Sequence, residues 1–92
     1  MQKILFIDRD GTLISEAEDE QIDSFQKLKF YPGAITNMAK IAKEMNFKLV
    51  LVTNQDGLGT ESYKEELFLP VHKHIMETFR NEGVVFDKEY ID

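Results

Sequence analysis

The chain has 92 residues, room for one small domain, and no cysteine, which excludes disulfides, a thiol nucleophile and thiolate metal sites within it. Seventeen Asp and Glu against eleven Lys and Arg leave a net charge of −6, which excludes a nonspecific nucleic-acid binder and argues against docking on an anionic membrane. The longest apolar run is far short of the roughly 20 residues of a membrane span, and no secretory signal precedes it, so the expected location is the cytoplasm.

That run, Ile4-Leu5-Phe6-Ile7 ending in Asp8, reads as a strand buried on both faces of a parallel sheet. Residues 14–31 follow as a long acidic insertion anchored by Phe25, Leu28 and Phe30, and its length favours a lid or flap. Pro32-Gly33 then opens a helix whose apolar face is Ala34, Ile35, Met38, Ile41, Ala42 and Met45. Leu49-Val50-Leu51-Val52 gives a second strand, ending in Thr53-Asn54. Val71, Ile75, Met76 and Phe79 give a second helix, with Pro70 in its first turn and Gly83 just past its end. Glu89-Tyr90-Ile91 is a third, weaker strand. This alternation predicts an α/β fold with a Rossmann-like parallel sheet, right-handed crossovers, and a ligand crevice at the carboxyl ends of the strands.

The chemistry concentrates at two of those strand ends. In Asp8-Arg9-Asp10-Gly11-Thr12-Leu13, two carboxylates stand two residues apart before a glycine that lets the chain turn. Such proximity calls for a cation or a proton to relieve repulsion, and a hard ion such as Mg2+ suits oxygen ligands. One carboxylate can attack a phosphoryl group while the other moves a proton. A calcium-binding EF-hand is excluded, because the twelfth position of such a loop is Asp19 rather than Glu and the motif follows a strand. Thr53-Asn54-Gln55-Asp56-Gly57-Leu58-Gly59 offers a hydroxyl, two amides and a glycine-containing turn as donors to phosphate oxygens. Strand alternation points Arg9 away from both aspartates, toward a structural or phosphate-peripheral role. His72 and His74 fall on different sides of a helix and read as surface or capping residues rather than metal ligands.

Asp8-Arg9-Asp10-Gly11-Thr12, followed 45 residues after Asp8 by Thr53-Asn54, resembles the haloacid dehalogenase superfamily of phosphotransferases. Within it, Phe6 to Glu16 and Leu51 to Thr60 resemble the histidinol-phosphate phosphatase domain of the bifunctional histidine-biosynthesis enzymes. Pro32-Gly33 and the stretch from Gly83 to Asp92 fit as well. The resemblance implies an incomplete haloacid dehalogenase-type sheet of about three strands and two main helices, the N-terminal part of a single phosphatase domain spanning 1–92. It implies Asp8 as nucleophile, forming an aspartyl-phosphate, and Asp10 as acid and base. Mg2+ would be held by the Asp8 carboxylate and the Asp10 main-chain carbonyl, and Thr53 and Asn54 would bind the phosphoryl group. Glu16 leads Glu18 and Asp56 as the carboxylate that would attract a cationic leaving group such as histidinol.

The superfamily's downstream Lys or Arg, its later acidic metal ligands and the subfamily's Zn2+ loop are expected beyond Asp92. Lys88 comes too early to be that lysine. The chain alone is therefore expected to bind Mg2+ weakly and to turn over little or no substrate. Its first strand is expected to be an exposed apolar edge open to self-association. The alternatives are a heptose-bisphosphate-type or other small-molecule phosphatase, and a noncatalytic phosphate-binding or assembly fragment. The net charge speaks against a polynucleotide 3′-phosphatase.

Overall fold

The computed structural model describes residues 3–92; the first two positions of the expected domain span lie outside the described residues. Five elements follow one another: β1 (Lys3–Asp8), α1 (Ala34–Glu44), β2 (Phe47–Thr53), α2 (Glu65–Asn81) and β3 (Lys88–Ile91). The strands form one parallel sheet in the order β1-β2-β3. Ile7 pairs with Leu51 and Asp8 with Val52, and on the other side Thr53 pairs with Ile91. The expected α/β fold of three strands and two main helices is therefore present.

Sequential strand order with right-handed crossovers puts both helices on one face of the sheet, where they touch each other. Ile7, Leu49 and Leu51 pack there against Ala34 and Met38 of α1 and against Val71, Ile75 and Phe79 of α2. Among the described residues no helix covers the opposite face. As a result β1 is buried on one side only, not on both: Ile4 and Phe6 are 53% and 64% exposed. Their continuous apolar run reflects an edge strand with an open face, which period-two alternation cannot distinguish from a doubly covered one.

α1 starts directly after Gly33, whose φ of 80° suits glycine, and its buried face is shorter than expected. Met45 lies past the last turn and is exposed, because the chain leaves the helix at Glu44 for β2. α2 starts five residues before Pro70, so Pro70 lies inside the helix rather than in its first turn. The proline ring is exposed, and Glu65 and Glu66 in the true first turn complement the positive helix end. Gly83, with φ 83°, ends α2 in a Schellman motif: its N–H donates to Arg80 O, and that of Val84 to Phe79 O. Val84 and Phe79 are both buried in the core, the apolar contact that accompanies this motif.

The insertion is pinned at its base. Ser15 N–H donates to Lys29 O, Tyr31 N–H donates to Leu13 O, and Ile14 pairs antiparallel with Phe30. Phe30 and Leu28 pack on the core as expected, but Phe25 is exposed, its ring meeting that of His74 edge to face. The deep anchor is Ile22, fully buried, which an isolated isoleucine among polar residues did not announce.

Candidate active site

The turn after β1 and the turn after β2 meet at the carboxyl ends of the strands. Arg9 O accepts from the N–H groups of Leu13 and Ile14, and Gly11 N–H donates to Ile14 O, folding Asp10 back beside the strand end. Gly11 has φ 86°, and a Cβ there would stand 3.0 Å from Glu16 Oε1. Glycine is favoured here by its left-handed backbone, and the exposed Glu16 carboxylate lies close across it.

These turns and residues of the insertion enclose a cavity of about 570 Å3. Asp8, Asp10, Glu16, Thr53, Asn54 and Asp56 all line it, as do Asp19, Glu20 and Gln21 of the insertion. Glu18 does not; it faces a neighbouring surface depression instead. Glu20 holds a left-handed backbone, φ 59°, at the cavity rim. Lys27 ties the insertion to itself, pairing with Asp19 at 2.7 Å and Asp23 at 2.8 Å. That pairing lowers the Asp19 pKa below its usual value and raises that of Lys27.

The two aspartates of the motif differ sharply. Asp8 is exposed to the cavity, and among the described residues its carboxylate has no hydrogen-bond or ion-pair partner. Asp10 is clamped: Arg9 Nε donates to Oδ1 at 2.6 Å and Gln55 Nε2 donates to Oδ2 at 3.0 Å. Arg9 therefore does not point away from the aspartates. β1 ends at Asp8, so strand alternation no longer governs the next side chain, which turns under the site and is fully buried.

Gln55 was read as a phosphate donor, but its amide faces inward. It donates to Asp10 and, at 2.6 Å, to Thr53 Oγ1, while its Oε1 accepts from the Tyr63 hydroxyl. Burial pushes the Tyr63 phenol pKa up from 10 and keeps its proton on. The Asp10 carboxylate, which only accepts, sets the Nε2 end of Gln55 toward itself and leaves Oε1 for the Tyr63 hydroxyl. Because Thr53 Oγ1 accepts from Gln55, its hydroxyl hydrogen is free to donate into the cavity. The main chain adds to the clamp, since Gln55 N–H donates to Asp92 O and Asp92 N–H to Thr53 O.

His72 corrects a further expectation. It is buried, not a surface or capping residue: its ring stacks on Phe68, Nδ1 lies 3.0 Å from Arg9 Nη1, and Nε2 lies 2.7 Å from Glu89 Oε1. Burial pulls its pKa below 6.5, and the Glu89 hydrogen bond works against that shift. Arg9 also lies over the Phe68 ring, 4.9 Å from its centre. His74, two residues on, is exposed. Tyr63, Phe68, His72 and Glu89 were not read from the sequence as parts of this site. Gln55 lies past Thr53, where β2 ends, so no strand periodicity marked its inward turn in the sequence.

Among the described residues, no three or more His, Cys, Asp or Glu side chains gather as a metal-binding group. The donor set that does exist is the unpartnered Asp8 carboxylate and the Asp10 carbonyl, which accepts no N–H among the described residues. Two oxygen donors with open space beside them fit Mg2+, which commonly keeps several waters and binds through one or two protein groups plus a phosphate.

This arrangement is that of the haloacid dehalogenase-type phosphatase fold. The chain superposes on D,D-heptose 1,7-bisphosphate phosphatase from B. bronchiseptica, solved with magnesium and phosphate, with a TM-score of 0.83 at 22% identity, covering 99% of this chain and 50% of that one. A second solved structure, from Mesorhizobium loti, gives a TM-score of 0.70 at 28% identity, covering 92% of this chain and 39% of its own. The chain belongs to the polynucleotide kinase 3 phosphatase family, whose model matches residues 3–87. Its relatives include the histidine biosynthesis bifunctional protein HisB of Spirosoma linguale, 56% identical over 100% of this chain, and that of Bacteroides fragilis, 50% identical over 99%. The chain spans about a quarter of the length of these relatives, 24% and 25%. No helix among the described residues is long and apolar enough to cross a membrane.

Proposed function

We propose that the chain is the N-terminal part of a phosphatase domain that hydrolyses histidinol phosphate to histidinol and phosphate, acting in the cytoplasm within a bifunctional histidine-biosynthesis enzyme. The observation that carries this reading is the convergence of Asp8, Asp10, Glu16, Thr53 and Asn54, from separate segments, on one cavity at the strand ends. The identity to HisB proteins supports the substrate.

In this mechanism an Asp8 carboxylate oxygen attacks phosphorus, the bond from phosphorus to the leaving oxygen breaks, and protonated Asp10 gives its proton to that oxygen. Asp10, now a carboxylate, takes a proton from water as the water attacks the aspartyl-phosphate, releasing phosphate and restoring Asp8. The Asp10 clamp keeps one carboxylate aimed at both proton transfers. Thr53 donates its free hydroxyl hydrogen to a phosphoryl oxygen, and Asn54 helps position the group. Mg2+, when bound at the Asp8 carboxylate and Asp10 carbonyl, supplies charge neutralisation for the phosphoryl oxygens.

The acidic wall of Glu16, Glu20 and Asp56 favours a small, cationic leaving group and repels a polynucleotide. Residues 14–31 are the flap over that group. The open edge of β1, with Ile4 and Phe6 exposed, is where this chain would associate with a second copy.

The test is phosphate release by the natural full-length protein from histidinol phosphate, heptose bisphosphate and a 3′-phosphorylated oligonucleotide, with Asp8→Asn as control. Release from histidinol phosphate above the other two, lost in the variant, is expected. Preference for heptose bisphosphate or the oligonucleotide would replace the substrate, and release unaffected by the variant would overturn the mechanism.

A further inference from the structure

The buried layer beneath Asp10 contains a chain of contacts that the phosphatase chemistry does not use directly. Arg9 is completely buried, yet among the described residues Asp10 is the only carboxylate it pairs with, and it does so through Nε alone. Its Nη1 goes to His72, and its Nη2 is buried with no partner among the described residues. An arginine free to maximise its pairing would present Nε and Nη2 together to both oxygens of one carboxylate. Here Asp10 Oδ2 is given to Gln55 instead, and the guanidinium is held between the Phe68 face and His72 Nδ1.

The proton positions follow from chemistry. A guanidinium only donates, so His72 Nδ1 must be the accepting nitrogen. The imidazole is then neutral with its hydrogen on Nε2, donated to Glu89 Oε1 on β3. The result is a directed row of hydrogen bonds, Arg9 Nη1 to His72 and His72 Nε2 to Glu89, anchored in the turn after β1, in α2 and in β3. Buried polar groups arranged this way fix orientation at the cost of an orphaned nitrogen, and a cost of that kind calls for an explanation.

We propose that His72, held by Glu89, is a positioning residue that fixes the Arg9 guanidinium and through it the direction of the Asp10 carboxylate. This rests on the phosphatase reading for its catalytic consequence, but not for the bridge itself. The analogous partners of metal-ligating histidines change activity by about 10–100-fold, and displacements of an ångström have comparable effects.

The experiment uses the natural full-length protein with three variants. His72→Leu removes the acceptor. His72→Asn restores an oxygen near the Nδ1 position, facing Arg9. His72→Gln keeps a polar group of similar size but extends it toward Glu89. With histidinol phosphate and p-nitrophenyl phosphate, kcat is expected to fall about tenfold or more in the Leu and Gln variants with KM within about twofold, and to recover to within a few-fold in Asn. If Leu fails to fold, the Gln and Asn pair carries the comparison. Equal kcat in Gln and Asn, or a change confined to KM, would overturn the proposal. In parallel, the 15N spectrum of the wild-type protein is expected to show His72 as the neutral Nε2–H tautomer; an Nδ1–H tautomer or a charged ring at neutral pH would overturn the bridge. A wild-type protein that releases phosphate from neither compound would overturn the phosphatase reading and the catalytic role together, while this spectrum still decides the bridge.

Discussion

The floor and the rim of the cavity are built in opposite ways. The floor is a network of buried side chains, Arg9, Gln55, Tyr63 and His72, whose hydrogen bonds join the turns after β1 and β2, the segment before α2, α2 itself and β3. The rim is an acidic insertion in which Glu16, Asp19 and Glu20 are exposed and the ion pairs, around Lys27, lie on its outer side rather than under the cavity. A rigid floor suits chemistry common to every phosphate ester, since the reacting geometry must not vary. A solvated rim suits discrimination between leaving groups, because its charges act through space and can change without disturbing the core.

Substitutions should separate the two regions. The largest expected effect is from Asp8→Asn, which removes the nucleophile and should lower kcat by about 10⁴-fold or more, read as phosphate release by the full-length protein. Gln55→Leu should lower kcat by about tenfold and also destabilise the fold by about 1–3 kcal/mol, since it orphans the buried Tyr63 hydroxyl; activity and urea unfolding measure the two losses. At the rim, Glu16→Gln should raise KM for a cationic substrate several-fold with kcat nearly unchanged, and leave KM for p-nitrophenyl phosphate alone. An equal effect on both substrates would move Glu16 from the rim to the floor.

The contrast also has a pH signature. An unfolded His72 takes up its proton near pH 6.5, whereas burial holds the folded one neutral to lower pH. Its contribution to stability is therefore complete above pH 6.5 and is lost as pH falls toward the depressed folded value. Midpoints of urea unfolding measured from pH 7.5 to 5 should fall less steeply in His72→Asn than in the wild type. Lys27→Ala is expected to be the mildest change, with no resolvable shift in the unfolding midpoint at physiological salt. A large shift there would mean that the rim contributes to the fold as the floor does.

How much of this could be read from the sequence follows the same division. The strand, helix and turn order was legible because apolar periodicity and Pro-Gly punctuation are local signals. The positions of Asp8, Asp10, Thr53 and Asn54 were legible because parallel strands deliver their carboxyl ends to one edge. The burial of β1 was overstated, since periodicity shows that residues are apolar but not how many layers cover them. The floor was largely hidden. Arg9 meets His72 across 63 positions and His72 meets Glu89 across 17, separations that leave no local pattern. A histidine among apolar neighbours on a helix looks the same whether it caps, faces water or holds a buried arginine.

The main-chain pairing of Asp92 with Thr53 and Gln55 has a consequence for the order of events during synthesis. The aspartate motif emerges from the ribosome well before the segment that locks Gln55 and the Glu89 that holds His72. Parallel pairing of this kind cannot form from neighbouring residues alone and waits for the distant strand. The aspartates therefore stand without the full clamp until the residues of β3 have been made and have paired with β2. Cavity formation becomes a late event, a checkpoint reached only when β3 has docked.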